Sequence, residues 1–101
     1  MHVQVTLYGA ARVVIGQPVV ELAFDPDAVT LAQVLAALVT AYPRVRPYLL
    51  DEAGTLPANM RVLLNGERPD PDMTLATVLH NGDRIAFLFP IAGGAAPLQQ
   101  P

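Results

Sequence analysis

The chain has no cysteine, no lysine and no tryptophan among its 101 residues. Without cysteine there can be no disulfide, no thiolate nucleophile and no cysteine-based metal site. Lysine and arginine together number six, and all six are arginine. The chain therefore has no side-chain amine that could accept an acyl group.

Charge and long apolar runs are also scarce. The net charge is −3, which disfavours nucleic acid as a partner, because that affinity depends on many Lys and Arg contacts to phosphate. The apolar content is 52%, yet no apolar run reaches the length of a membrane span. The N-terminus shows no basic region before an apolar run, so we expect no signal peptide and a cytoplasmic protein.

Catalytic and metal-binding patterns are missing as well. His2 and His80 are far apart, and Asp70 and Asp72 each follow a proline in a loop, where aspartate is typical of turns. The glycines near the N-terminus have no lysine near them, so they do not form a phosphate-binding loop. We therefore expect no metal site, no catalytic side chain and no bound cofactor.

The N-terminal residues predict a pair of strands. Val3, Val5 and Leu7 alternate with polar residues, which is typical of a half-buried strand. We expect residues 9–16, with glycine at both ends, to form a hairpin connection, and residues 17–24 to form the second strand.

The clearest element is an amphipathic helix. Its apolar residues recur at spacings of three and four between Leu31 and Tyr42, and Pro43 ends it. Thr30 is a good N-cap, and Gln33 completes a capping-box pattern.

The second half of the chain predicts shorter elements. These are a loop over 44–59 with a helical turn at 47–50, a strand over 60–64, an Asn65-Gly66 turn, a brief return strand at 67–68, a short helical turn capped by Thr74 and carrying Leu75, Val78 and Leu79, a turn at 81–83, and a last strand over 84–89.

This order of elements predicts an α+β fold of the β-grasp type. A mixed sheet of four to five strands would pack on one main helix, with the last strand parallel to the first, because crossover connections produce parallel pairs. We expect residues 1–90 to form the domain and residues 91–101 to form a flexible tail that contains Gly93-Gly94.

The last strand is apolar on both faces. Ile85, Phe87 and Phe89 point one way, whereas Ala86 and Leu88 point the other, and alternation alone leaves open which set faces outward. A sheet covered by one helix leaves one face open, so an outward apolar patch indicates a partner surface. We expect that surface to contain Phe87 and Phe89 together with Tyr8 and with Leu64 or its neighbour Leu63.

Beyond the last strand the chain has a proline followed by mostly small residues. Pro90 cannot continue a central hydrogen-bond ladder, so the chain should leave the sheet there. Gly93 and Gly94 have no Cβ, so the segment that begins Pro90-Ile91-Ala92 could enter a narrow channel on a partner.

At this point the sequence resembles the MoaD/ThiS family of ubiquitin-like sulfur carriers, in particular the small subunit of molybdopterin synthase. The resemblance is carried by residues 30–35, 62–66, 74–75 and 81–85, and most specifically by the ending at residues 89–94. It covers residues 1–94. The thiamine-type ending is less similar.

The resemblance implies a carrier rather than an enzyme. The Gly94 carboxylate would be adenylated by a ubiquitin-activating-type enzyme that uses ATP and Mg²⁺, and then become a thiocarboxylate. The C-terminal segment would enter the active site of the large molybdopterin synthase subunit or of another sulfur acceptor.

One departure from the family pattern is that Gly94 is followed by Ala95 to Pro101. An internal glycine has no free carboxylate, so a peptidase, for example of the JAB/JAMM type, would first have to remove residues 95–101. Two alternatives stay open: a ubiquitin-like modifier joined to proteins through Gly94 after such trimming, or a β-grasp binding module without C-terminal chemistry.

Overall fold

The computed structural model describes residues 1–57 and 60–88, with the backbone alone at 71–73. Its strands are β1 (His2–Leu7), β2 (Val19–Ala23), β3 (Ala28–Thr30), β4 (Arg61–Leu64), β5 (Val78–His80) and β6 (Arg84–Leu88). Its helices are α1 (Gly9–Ile15), α2 (Leu31–Ala41) and α3 (Arg46–Leu49), with 3₁₀ turns at Pro43–Val45 and Pro71–Ala76.

The main sheet is mixed and has four strands in the order β2-β1-β6-β4. β1 is antiparallel to β2 and parallel to β6, and β4 is antiparallel to β6. The predicted parallel pairing of the first and last strands is therefore confirmed, as is the α+β arrangement of a mixed sheet on one main helix. The predicted boundary at residue 90 and the tail 91–101 lie outside the described residues, as does Phe89 at the end of the predicted last strand.

Helix α2 confirms the capping box. The Gln33 backbone N–H donates to Thr30 Oγ1 at 3.3 Å, and the Thr30 backbone N–H donates to Gln33 Oε1 at 2.8 Å. One face of the helix is buried through Leu31, Val34 and Leu38. These side chains share a core with the inward residues of β1 and β6.

The predicted hairpin connection over residues 9–16 is wrong, because this stretch forms helix α1. Gly16 has φ +87° and donates its backbone N–H to the Arg12 carbonyl at 2.9 Å, which is a left-handed C-cap. The second glycine therefore ends a helix, and Ala11 anchors that helix in the core. The helix has only seven residues, about two turns, and so short a stretch between two glycines shows too little periodicity to predict it.

Two short strands were also missed. β3 and β5 form a separate antiparallel pair in which Val29 lies opposite Leu79. The prediction of a helical turn containing Val78 and Leu79 is therefore wrong, because β5 pairs with a strand about fifty residues earlier in the sequence. The predicted return strand at 67–68 is limited to an isolated bridge between Leu64 and Glu67.

The loop after α2 carries the predicted helical turn, observed as α3. Leu49 is buried in the core and closes one end of it. Among the described residues, no polar or charged side chain is buried, so the core is purely apolar.

Candidate functional site

The candidate site lies around the C-terminal end of β6, from which the predicted reactive segment continues. β6 is an inner strand: Phe87 pairs with Leu7 of β1 on one side and with Val62 of β4 on the other. Its last described residue, Leu88, lies opposite Arg61. The C-terminal end of β6 therefore lies beside the C-terminal end of β1 and the N-terminal end of β4, at the same end of the sheet.

The two faces of β6 are occupied unequally. Ile85 and Phe87 are buried in the core, with Phe87 only 2% exposed, whereas Ala86 and Leu88 are half-buried on the other face. The expectation that Phe87 belongs to an outward surface is therefore wrong, because its ring lies in the core together with the buried side chains of α2.

The two other predicted surface residues within the described part of the chain, Leu64 and Tyr8, differ in their exposure to solvent. Leu64 has the same parity on β4 as buried Val62 and packs against the core, so placing it on the outward surface is also wrong. Tyr8 follows β1 directly and is 44% exposed. A partner contact through Tyr8 stays a prediction.

Six of the predicted site residues lie outside the described residues, namely Phe89, Pro90, Ile91, Ala92, Gly93 and Gly94. The structure therefore defines the strand from which they extend and the surfaces beside it. Their roles stay predictions.

The outward face of the main sheet carries a row of mostly apolar, half-buried or exposed side chains, which we call the open face. Register places Val19 beside Thr6, Thr6 beside Ala86, and Ala86 beside Leu63, so the row crosses all four strands. Leu88 extends it along β6 toward the C-terminal end. Sequence reasoning missed Val19 and Thr6 as surface residues, although alternation from the buried Val20 and Val5 could have identified them. It had left open that Ala86 and Leu88 face outward, and the structure shows that this set is the outward one.

Arginines flank this row. Arg61 lies opposite Leu88 at one end, and Arg84 pairs with Gln4 at the other, both exposed. An apolar strip between two guanidinium groups suits a partner surface that combines apolar side chains with carboxylates.

The N-terminal end of β6 is held by a polar network. The Arg84 backbone N–H donates to Asn65 Oδ1 at 2.9 Å, and Asn65 Nδ2 donates to Asp83 Oδ1 at 3.2 Å. Asp83 Oδ2 also accepts from the His80 backbone N–H at 2.8 Å. Asn65 adopts φ +53° in the predicted Asn-Gly turn, and these bonds hold it there.

The C-terminal end of β6 borders an apolar cavity of about 50 Å³. Its wall includes Phe87 of β6, Met60 just before β4, and Tyr48 and Leu49 of α3. Tyr8 and two alanines of α1 also line it.

One titratable group near this end is perturbed. Asp51 lies two residues beyond α3, and its carboxylate accepts hydrogen bonds from the backbone N–H groups of Ala53 and Thr55 at 3.0 Å each, and from the Thr55 hydroxyl. The bonds from Thr55, more than any other, lower the pKa of the Asp51 carboxyl from its usual 3.8.

Residues 1–57 and 60–88 contain no cluster of three or more His, Asp or Glu side chains placed to hold a metal ion. Within that same part of the chain, no helix has both the length and the apolar character needed to cross a membrane.

Comparison with known proteins identifies the family. The sequence model of the ThiS family matches residues 5–94, which is most of the chain. The chain belongs to the ThiS family. It is thus a member of the ubiquitin-like group of small modifiers and sulfur carriers, whose members are carriers rather than catalytic enzymes.

Individual relatives agree with this assignment. The small archaeal modifier protein 3 of Haloferax volcanii is 30% identical over 94 residues, which cover 93% of this chain and all of the relative. The crystal structure of SAMP1 from the same organism superimposes with a TM-score of 0.80 at 28% identity, over 93% of this chain and all of the other. Urm1 from Trypanosoma brucei gives 0.73 at 26% identity, over 92% and 95%. The predicted β-grasp, ubiquitin-like fold is confirmed.

Proposed function

We propose that this ThiS-family chain is a sulfur carrier whose reactive group is the carboxylate of Gly94, exposed by removal of residues 95–101. The observation that carries the proposal is that the family match ends at Gly94 and leaves out those last residues. A peptidase of the JAB/JAMM type would make the cut, because Gly94 otherwise has only an amide carbonyl.

The chemistry needs no side chain of this protein. A Gly94 carboxylate oxygen attacks the α-phosphorus of ATP on a ubiquitin-activating-type enzyme that holds Mg²⁺, and pyrophosphate leaves. A sulfur nucleophile at the oxidation level of sulfide then attacks the glycyl carbonyl and displaces AMP, which leaves the thiocarboxylate. Because the reaction consumes ATP, we propose that it takes place in the cytoplasm.

The open face is the surface that we propose for docking on the activating enzyme. It includes Leu88, and Gly94 follows only six residues later. A partner that covers Ala86 and Leu88 is therefore placed to receive the segment beginning at Pro90. The same segment would afterwards enter the active site of the large molybdopterin synthase subunit or another sulfur acceptor.

A second function is favoured by one observation, which is that the 30% identical relative from Haloferax volcanii is described as a modifier protein. In that case the Gly94 adenylate, or a thioester made from it, is attacked by an amine of a target protein. Both functions require trimming and adenylation, and they differ only in the final nucleophile. A binding module without C-terminal chemistry would require neither step.

The test compares three forms of the chain, ending at Ala92, Gly94 and Pro101, in ATP–pyrophosphate exchange with the ubiquitin-activating-type enzyme of the native host. We expect exchange only with the form that ends at Gly94. The form ending at Ala92 is the matched control for a shortened tail without the glycines. Equal exchange with the Pro101 form would contradict the need for trimming, and no exchange with any form would support the binding module.

A further inference from the structure

The outer edge of β2 is an unpaired edge of the main sheet, because β2 is the first strand in the order β2-β1-β6-β4. The Leu7 N–H donates to the carbonyl of Pro18, which directly precedes β2, at 2.9 Å. In an antiparallel pair, the backbone groups of successive residues point alternately toward the partner strand and away from it. The backbone N–H and C=O groups of Val19, Glu21 and Ala23 therefore point away from β1.

These three residues have no backbone partner in the part of the chain that the structure describes. No hydrogen bond of their N–H or C=O groups is found there beyond β1, and all three residues are exposed, with Val19 at 42%. A row of unpaired backbone donors and acceptors at a sheet edge is a template for another strand.

The outer edges of the other strands are occupied in a way that the edge of β2 is not. Leu64 of β4 donates its N–H to the Glu67 carbonyl at 2.7 Å and accepts from the Glu67 N–H at 3.0 Å. In the two-stranded sheet, the Thr30 N–H bonds to a side chain of α2, and the His80 N–H bonds to the Asp83 carboxylate. Within residues 1–57 and 60–88, β2 therefore has the longest unpaired strand edge.

The charge along this edge has one sign. Residues 17–27 carry three acidic side chains, Glu21, Asp25 and Asp27, and no basic one. Glu21 lies at the centre of the edge, and its side chain is on the open face between those of Val19 and Ala23. A strand beside β2 would be stabilised by a basic side chain opposite Glu21 and by apolar side chains two positions to either side.

We propose that the outer edge of β2 binds an extended segment of a partner protein as an additional antiparallel strand, with Lys or Arg opposite Glu21. Main-chain hydrogen bonds would hold the segment, and side chains would select it. Its intermediate residues would be apolar, because they lie beside Leu22, which is half-buried and packs against the core. This surface takes a partner through main-chain pairing, whereas the proposed docking of the activating enzyme uses side chains of the open face.

Two other occupants of the edge fit it less well. A second copy that pairs its β2 with this one over all three residues would place Glu21 directly opposite Glu21 of the other copy, and like charges in that position are destabilising. Residues 95–101 of the chain itself have no charged side chain, so they offer nothing that complements Glu21.

The first test uses the peptide acetyl-Thr-Val-Ile-Arg-Ile-Val-Thr-amide and NMR of the full chain. We expect saturable shifts and slower hydrogen exchange at the amides of Val19, Glu21 and Ala23. An N-methyl group on the central arginine removes the bond to the Glu21 carbonyl and should abolish the response. An N-methyl group on the next isoleucine, whose N–H points away from β2, is the matched control and should preserve it. Equal responses to both N-methyl peptides, or no response to the parent peptide at millimolar concentration, would overturn the proposal.

A charge exchange tests the predicted selectivity. The wild type should bind the arginine peptide at least about threefold more tightly than the same peptide with a central glutamate. Glu21→Arg should reverse this order. Glu52→Arg makes the same charge change in the loop after α3 and should keep the wild-type order. The same order in wild type and Glu21→Arg, or a reversal by Glu52→Arg as well, would overturn the pairing with Glu21.

The remaining occupants are separated by the protein without peptide. Hydrogen exchange at Val19, Glu21 and Ala23 should be fast and independent of protein concentration. Slower exchange at higher concentration would overturn the proposal in favour of a second copy, and faster exchange on removal of residues 95–101 would overturn it in favour of the chain's own C-terminal residues. None of these measurements uses an activating enzyme, so the proposal about Gly94 is decided separately.

Discussion

The two ends of β6 are stabilised by different kinds of interaction. At the N-terminal end, Asn65 and Asp83 link two turns through hydrogen bonds between side chains and backbone. At the C-terminal end the strand is surrounded by apolar side chains and an apolar cavity. Hydrogen bonds of the first kind fix one geometry, whereas apolar contacts tolerate exchange of partners. This difference suits the proposed function, in which the domain keeps its fold while its last residues enter another protein.

The largest expected effect is a loss of folding stability when Phe87, at the apolar C-terminal end of β6, is truncated. Phe87→Ala should destabilise the domain by about 3–5 kcal/mol, because it removes a buried ring and leaves a cavity. Urea denaturation measures this change. The matched control is Leu88→Ala on the half-buried face, which should cost clearly less. Equal losses would mean that the two faces of β6 are not distinct.

A change on the open face should affect binding more than folding. We expect Leu88→Asp to weaken docking on the activating enzyme by at least about tenfold, which corresponds to about 1.4 kcal/mol, because it buries a charge in an apolar contact. Calorimetric titration of the activating enzyme checks this. Val13→Asp, at an exposed position on α1, is the control and should bind normally. Weaker binding by both variants to the same extent would contradict the assignment of the open face.

The polar end should respond to a change at its turn. Asn65→Ala should cost about 2 kcal/mol, because it removes the hydrogen bonds to Arg84 and Asp83 and places a Cβ residue without compensation at a left-handed φ. Asn65→Gly loses the same bonds but tolerates the backbone angle. The glycine variant should therefore be the more stable of the two in thermal denaturation. The reverse order would show that the backbone angle does not matter there.

The smallest effect should be at Asp51, which lies two residues beyond α3. Its folded pKa is lowered, so the carboxylate stabilises the fold above the unfolded pKa near 3.8, and this contribution disappears as the pH falls through the folded value. The stability difference between the wild type and Asp51→Ala should therefore narrow between pH 7 and the acid range in urea titrations. Glu52→Ala is the control for removal of a neighbouring exposed carboxylate. A difference that widens toward acid pH would contradict the assigned sign.

Local sequence signals predicted the parts of the fold that depend on local interactions. The capping box at Thr30 and Gln33 and the Asn65-Gly66 turn involve neighbours in the chain, so they could be read directly. The parallel pairing of β1 with β6 followed from the order of elements. β5 could not be foreseen, because Val78 and Leu79 fit a helical spacing equally well until β3 is known to lie beside them.

The candidate site was only partly predicted, again because long-range packing and register are not visible in a local pattern. Alternation showed that β6 has two apolar faces but not which one the helix covers, so Phe87 was placed outside although it is buried. Leu64 was misplaced because the parity of β4 depends on its register with β6. The ending Gly93-Gly94 could be recognised from the sequence because its proposed role depends on main-chain chemistry rather than on packing.

The central claim is that Gly94 becomes a reactive C-terminus, and intact-protein mass spectrometry of the untagged protein from its native host tests it most directly. We predict a species that ends at Gly94, with a fraction carrying sulfur in place of one carboxylate oxygen. Gly94 joined to an amine of another protein would identify the modifier instead. If only the chain ending at Pro101 is found while the activating enzyme is expressed, the proposed C-terminal chemistry is contradicted.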